Sequence, residues 1–227
     1  MFDIDGTLVD AAGAGRRALT ASFHAQVGRG DVLADITFCG RTDRGIVREA
    51  LRLAGEPDDA ELVDAILADY VARLPAELAA TAAFRVHDGV DEALEAASGV
   101  GMVGLGTGNI AVGARLKLDP FELTPRFSFG GYGCDAEDRA ELLRIGARRG
   151  AERLGRDVAA CCVRVIGDTP LDIAAAHAIG ASCLAVTTGR YDRVALASHA
   201  PACIVDDLAR PAALEFLRAP PFTVAHR

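Results

Sequence analysis

The sequence predicts a doubly wound α/β fold, a parallel sheet covered by helices on both faces, with an all-helical segment inserted after the first strand. Three observations predict it. From about residue 86 onward, short continuous apolar runs alternate with helical patterns. Residues 11–84 read as helix with no convincing strand. The opening MFDID is an apolar run that ends in acids and is cut off from the other strands by that helical stretch. The expected division is residues 1–10 and 85–227 for an α/β core and 11–84 for a helical insert.

Each element follows from its own pattern. After MFDID, the runs GAGRRALTASFHAQVG, TDRGIVREALRLAG and DDAELVDAILADYVARLPAELAATAA carry apolar residues three and four apart, with breaks expected at Gly28, Gly30, Gly55, Pro57 and Pro75. GVDEALEAAS then predicts a helix, VGMVGLGT a strand, Ile110 to Leu118 a helix and RFSFG a short strand. EDRAELLRIGARRGAERLG is a long helix, followed by strand CCVRVIGD, helix LDIAAAHAIG, strand SCLAVTTG, helix RVALASHA, strand CIVDD and helix ARPAALEFL. The closing APPFTVAHR reads as a frayed tail.

Composition limits the function classes. Of 227 residues, 51% are hydrophobic and 25% charged, enough apolar surface for a sizeable core and incompatible with a disordered chain. The net charge of -8 argues against a broad footprint for nucleic acid or anionic lipid. The six cysteines show no C-x-x-C spacing, so zinc is not expected. With no apolar run long enough to span a bilayer, the expectation is a soluble cytoplasmic protein, monomer or homodimer.

Ligands of doubly wound sheets bind beyond the carboxyl ends of the strands, so the residues that end each strand carry the functional reading. Asp3 and Asp5 flank the first strand end, where a turn at Gly6 lets both face one cavity. Thr107, Gly108 and Asn109 end the next, at a helix N-terminus suited to a phosphoryl anion. Asp168 and Asp172 straddle a third strand-to-helix turn, where each also suits helix capping. Four carboxylates at one edge repel unless a cation joins them, and Mg²⁺ takes one or two carboxylates together with phosphate oxygens and water. Metal, phosphate cradle and free carboxylate together suggest phosphoryl transfer. GLGTGN also approaches a dinucleotide fingerprint, but Asn109 stands where the last glycine belongs.

These motifs resemble those of the haloacid dehalogenase (HAD) superfamily of phosphatases, over nearly the whole chain and in the family's order. DIDGT resembles the first motif, which implies Asp3 as nucleophile and Asp5 as general acid/base; D-x-D-G-T arises by chance roughly once in a thousand chains of this length. Thr107 resembles the second motif's phosphate-binding hydroxyl, and Arg139, 29 residues before Asp168, falls where the third motif's basic residue lies. GDTPLD resembles the fourth. The resemblance implies Mg²⁺ held by Asp3, Asp5, Asp168 and Asp172, with phosphate or substrate at Thr107, Gly108, Asn109 and Arg139. Lys117 competes with Arg139 as the cation, but lies mid-helix soon after the second motif. The helical insert resembles the small cap of this superfamily, with CGRTDRG offering Arg41, Thr42 and Arg44 as substrate readers.

Within the superfamily, a cap without lysine excludes the Schiff-base hydrolases of phosphonoacetaldehyde, and Asp5 argues against dehalogenation. The implied activity is hydrolysis of a small phosphorylated metabolite, as in phosphoglycolate phosphatases. The alternatives are a phosphosugar mutase resembling β-phosphoglucomutase, or a non-catalytic binding module on the same fold. One departure is plain: the family's middle strand has several apolar residues before its nucleophile, whereas only Met1 and Phe2 precede Asp3. Either that strand is short or the start lies upstream. In the short form, the charged amino terminus is expected to pair with a carboxylate.

Overall fold

Apolar residues two apart on successive short strands fall into two separate cores, one on each face of a parallel sheet. The computed structural model describes residues 1–220, so all but the first two residues of the tail expected at 219–227 lie outside the described residues. In chain order the elements are β1 (Val9–Asp10), α1 (Ala14–Val27), α2 (Asp43–Ala54), α3 (Ala60–Ala79), β2 (Arg85–Val86), α4 (Val90–Ser98), β3 (Gly104–Thr107) and α5 (Ala111–Leu118). They continue with β4 (Phe129–Tyr132), α6 (Arg139–Arg153), β5 (Arg164–Gly167), α7 (Pro170–Ala178), β6 (Ser182–Val186), α8 (Arg193–Ala197), β7 (Cys203–Val205) and α9 (Pro211–Arg218).

β4 pairs with β3, and β5, β6 and β7 pair in that order, all parallel. Residues 1–3 join the two groups. The Phe2 N–H donates to the Gly104 carbonyl (2.9 Å), Gly106 N–H to Phe2 (2.8 Å), Asp3 N–H to Ile166 (2.9 Å) and Ile166 N–H to Met1 (2.9 Å). The sheet order is therefore β4, β3, the N-terminal segment, β5, β6, β7. The Met1 amino group, expected to pair with a carboxylate, instead donates to the Arg164 carbonyl at 2.6 Å. Backbone registration with β5 turns it toward that carbonyl, and burial lowers its pKa to about 5.

Phe2, Leu105, Ile166, Leu184, Val186 and Val205 face a core closed by α4, α5 and α9. Met1, Val165, Cys183 and Ala185 face the other, closed by α6, α7 and α8. Both faces are buried, which is why these strands read as continuous apolar runs.

The helices α1, α2 and α3 have a third core of their own, including Leu19, Phe23, Leu51, Ile66 and Tyr70. The antiparallel pair β1–β2, with Val9 opposite Val86, ties this helical unit to the sheet. Two expectations are corrected. Pro75 does not break α3, which runs through it with Leu74 and Leu78 both buried. Packing on either side of the proline holds the helix together despite the missing donor. The strand expected at RFSFG forms three residues later, at Phe129–Tyr132, where pairing with β3 sets its position.

Candidate active site

The chain leaves the middle of the sheet at Asp3 and turns sharply at Gly6. There φ is +80°, and a Cβ would lie 2.5 Å from Asp168 Oδ2, so only glycine lets the turn approach the end of β5. Thr7 Oγ1 donates to Asp168 Oδ1 at 3.3 Å across the same gap. Beyond β5, Thr169 and Asp172 form a capping box at the start of α7: Asp172 Oδ2 accepts from Thr169 N–H (3.0 Å) and Oγ1 (2.7 Å).

Asp3, Asp168 and Asp172 are all buried, and an oxygen from each lies within 4.8 Å of the others. Arg139, at the start of α6, is buried beside them. Its Nε donates to Asp172 Oδ1 at 2.8 Å, Nη2 reaches the same oxygen, and Nη2 lies 3.0 Å from Asp3 Oδ2. One guanidinium does not balance three buried carboxylates. Burial, opposed by Arg139 and reinforced by Asp172 and Asp5, raises the Asp3 pKa to about 6. Burial and the charges of Asp172 and Asp3 push Asp168 well above the ordinary carboxylate range. The donor set fits a hard divalent cation such as Mg²⁺. Both oxygens of Asp172 are taken by Arg139 and Thr169, so the freer donors are those of Asp3 and Asp168.

Asp5, expected in the same metal shell, is not in this group of three. Lys117 Nζ donates to its Oδ1 (2.8 Å) and Oδ2 (2.6 Å), and Asn109 Nδ2 donates to Oδ2 (2.8 Å). The Asp5 side chain is 45% exposed, open to the cleft, while that of Lys117 is 4% exposed. Setting Lys117 aside as a mid-helix cation is therefore corrected. It stands three residues after buried Ala114, on the face of α5 that packs inward.

Thr107 is fully buried at the end of β3, and its Oγ1 accepts from Asn109 Nδ2 at 2.9 Å. Gly108 is where the helical unit meets the core: a Cβ there would lie 2.1 Å from the Arg41 carbonyl oxygen, and the Asp43 N–H donates to the Gly108 carbonyl at 2.8 Å. Asp43 Oδ2 accepts from Ile110 N–H (2.9 Å) at the start of α5. Burial raises the Asp43 pKa to about 6 against the opposing charge of Lys117.

Between the two units lies a cleft of about 310 Å³, walled by Asp3, Asp5, Thr107, Gly108, Asn109, Arg139 and Asp168 on the core side and by Arg41, Asp43 and Tyr70 on the helical side. Of the loop candidates, Arg41 lines the cleft. Thr42 caps α2 through Gly45 N–H, and Arg44 pairs with Asp64 on the surface. Arg190, in the loop after β6, also lines the cleft. Among the described residues, neither Arg41 nor Arg190 has a side-chain hydrogen bond or ion pair within the protein.

The chain folds as a parallel sheet between helical layers, with acids at its central strand ends and a helical unit over them, and comparison with known proteins finds the same fold. Residues 144–211 match the HAD-hydrolase-like family model, and the fold of the chain is that of the HAD-like hydrolases. A haloacid dehalogenase-like hydrolase from Streptococcus pneumoniae is 22% identical, with TM-score 0.63 and 95% of this chain and 94% of that one covered. A predicted phosphoglycolate phosphatase from Haemophilus somnus is 20% identical, with TM-score 0.62 and coverage of 92% and 93%. CbbY from Rhodobacter sphaeroides, solved with phosphate, is 17% identical, with TM-score 0.68 and coverage of 94% and 97%. No curated protein matches the chain significantly.

Proposed function

We propose that the protein is a Mg²⁺-dependent phosphatase of small anionic phosphomonoesters, resembling phosphoglycolate phosphatases and working in the cytoplasm as a monomer or homodimer. The observation that carries this reading is the pairing of a buried Asp3, beside Asp168 and Arg139, with an Asp5 that opens into the cleft. In this reading an Asp3 oxygen attacks phosphorus, the bond to the leaving oxygen breaks with its electron pair, and a proton from Asp5 makes the leaving group an alcohol. Water then attacks the aspartyl-phosphate and gives a proton to Asp5, which releases inorganic phosphate and restores both carboxyl groups. Mg²⁺, held by Asp3 and Asp168 with Asp172 behind them, offsets charge on the phosphoryl oxygens when bound. Arg139, Thr107 and the amides of Gly108 and Asn109 line the place for those oxygens. Arg41 and Arg190 favour a substrate with a second anionic group, such as a phosphorylated hydroxy acid.

The test is release of inorganic phosphate from a panel of metabolite esters with and without Mg²⁺. Mg²⁺-dependent release by wild type and none by Asp3→Asn supports the reading; release by Asp3→Asn would overturn it. Isomerisation of a sugar phosphate would favour the mutase, and no turnover of any ester a binding module. Calorimetry gives an independent readout, with Mg²⁺ binding expected to wild type and lost in Asp168→Asn.

A further inference from the structure

The cation that contacts Asp5 is neither of those assigned to the phosphoryl group. Lys117 is the only lysine among 24 basic residues, and α5 delivers it beneath the floor of the cleft. An ammonium has three donors, and the neighbours of Lys117 account for all three: both Asp5 oxygens and Asn109 Oδ1, the last at 2.7 Å. Asn109 completes the frame by donating to Asp5 Oδ2 at 2.8 Å and to Thr107 Oγ1 at 2.9 Å. A Cβ at Gly15 would lie 3.5 Å from Nζ, so α1 of the helical unit covers the ammonium from above.

We infer that Lys117 is a positioning residue: together with Asn109 it fixes the Asp5 carboxyl at the start of the first turn, aimed at the leaving oxygen. This rests on the phosphatase reading above and deepens it. Asp5 is half open to solvent just before a turn, and among the described residues its carboxylate has no hydrogen-bond partner besides Lys117 and Asn109. The bidentate ammonium and the Asn109 amide restrain its two torsions from below. An acid displaced by about 1 Å loses on the order of a hundredfold in rate.

A purely structural ion pair between α5 and the first turn predicts a uniform loss when Lys117 is removed. A positioning role predicts a loss graded by leaving group, because an alkoxide needs the proton from Asp5 and a nitrophenolate leaves without it. The experiment compares kcat/KM, which reports the first phosphoryl transfer, for an alkyl phosphate and for p-nitrophenyl phosphate in wild type, Asp5→Asn, Lys117→Met and Asn109→Ala. The expected result for Lys117→Met is a loss of about a hundredfold on the alkyl ester and about tenfold or less on the nitrophenyl ester. The same grading is expected in Asp5→Asn and, more weakly, in Asn109→Ala, with methylammonium partly restoring the alkyl activity of Lys117→Ala. Equal losses on both esters, or no loss, overturn the proposal. Asn109→Ala keeps the buried ammonium paired with Asp5, and it decides the question if Lys117→Met does not fold. Wild type inactive on every ester would refute the phosphatase reading itself, whereas active wild type with ungraded variants would refute only the role of Lys117.

Discussion

Removing Arg139 exposes how much of the strand-end geometry depends on a single guanidinium. It is 8% exposed and contacts Asp172 through Nε and Nη2, Asp3 through Nη2 at 3.0 Å and the Gly40 carbonyl through Nη1 at 3.1 Å. Arg139→Met keeps most of the side-chain volume and removes the charge. Asp3 and Asp172 are then buried without a cationic partner, a change that costs about 3–5 kcal/mol when one partner of a buried pair is lost. For a chain of this size, about 2–4 °C of Tm per kcal/mol gives a fall of roughly 6–20 °C. The assay is urea and thermal unfolding near pH 7.5 without divalent ions, repeated in the Asp172→Asn background. The loss should shrink there, because one of the stranded charges is already gone. A destabilisation below about 1 kcal/mol, or one of the same size in both backgrounds, would refute the view that Arg139 acts by compensating buried charge.

Two further outcomes are expected. Folded Asp43 binds its proton with a pKa raised to about 6, against the ordinary carboxylate value of 3.8. Between those values the folded state holds the extra proton, so Asp43 contributes stability that grows as pH falls through about 6 and levels off below the unfolded value. Urea midpoints measured from pH 4 to 7 should therefore fall more steeply on acidification in Asp43→Asn than in wild type; parallel curves would contradict it. Gly108→Ala places a Cβ against the Arg41 carbonyl and should lift the helical unit from the core, lowering activity at least tenfold and speeding limited proteolysis near Arg41. An unchanged cleavage rate would contradict that contact.

What was legible in the sequence is local. The acids of DIDGT and GDTPLD sit on short turns that follow central strands, so composition and spacing suffice to place Asp3, Asp168 and Asp172 at one edge. What was not legible depends on residues far apart in the chain. Lys117 was set below Arg139 because it lies mid-helix soon after the second motif, and its inward direction follows from Ala114 and the cover provided by Gly15. The three-residue spacing from Ala114 was the available signal. Asp43 acquires its role by capping α5 across the gap between the helical unit and the core. The fourth strand was placed early because Gly130 and Gly131 in its middle disfavour a strand, and its extent comes from pairing with Gly104–Thr107.

The three residues that close the middle of the sheet also set an order of assembly. Phe2 hydrogen-bonds to Gly104 and Gly106, and Asp3 to Ile166, so these residues find their partners only far along the chain. Such long-range closure is entropically expensive and slow. The β3–β4 pair and the β5–β6–β7 group, each built from nearer neighbours, can form first and leave a slot between them. In this order residues 1–3 enter that slot last, so the acids come together in the same event that joins the two halves of the sheet. Partly folded chains would then carry the helical unit and both strand groups while lacking the paired acids.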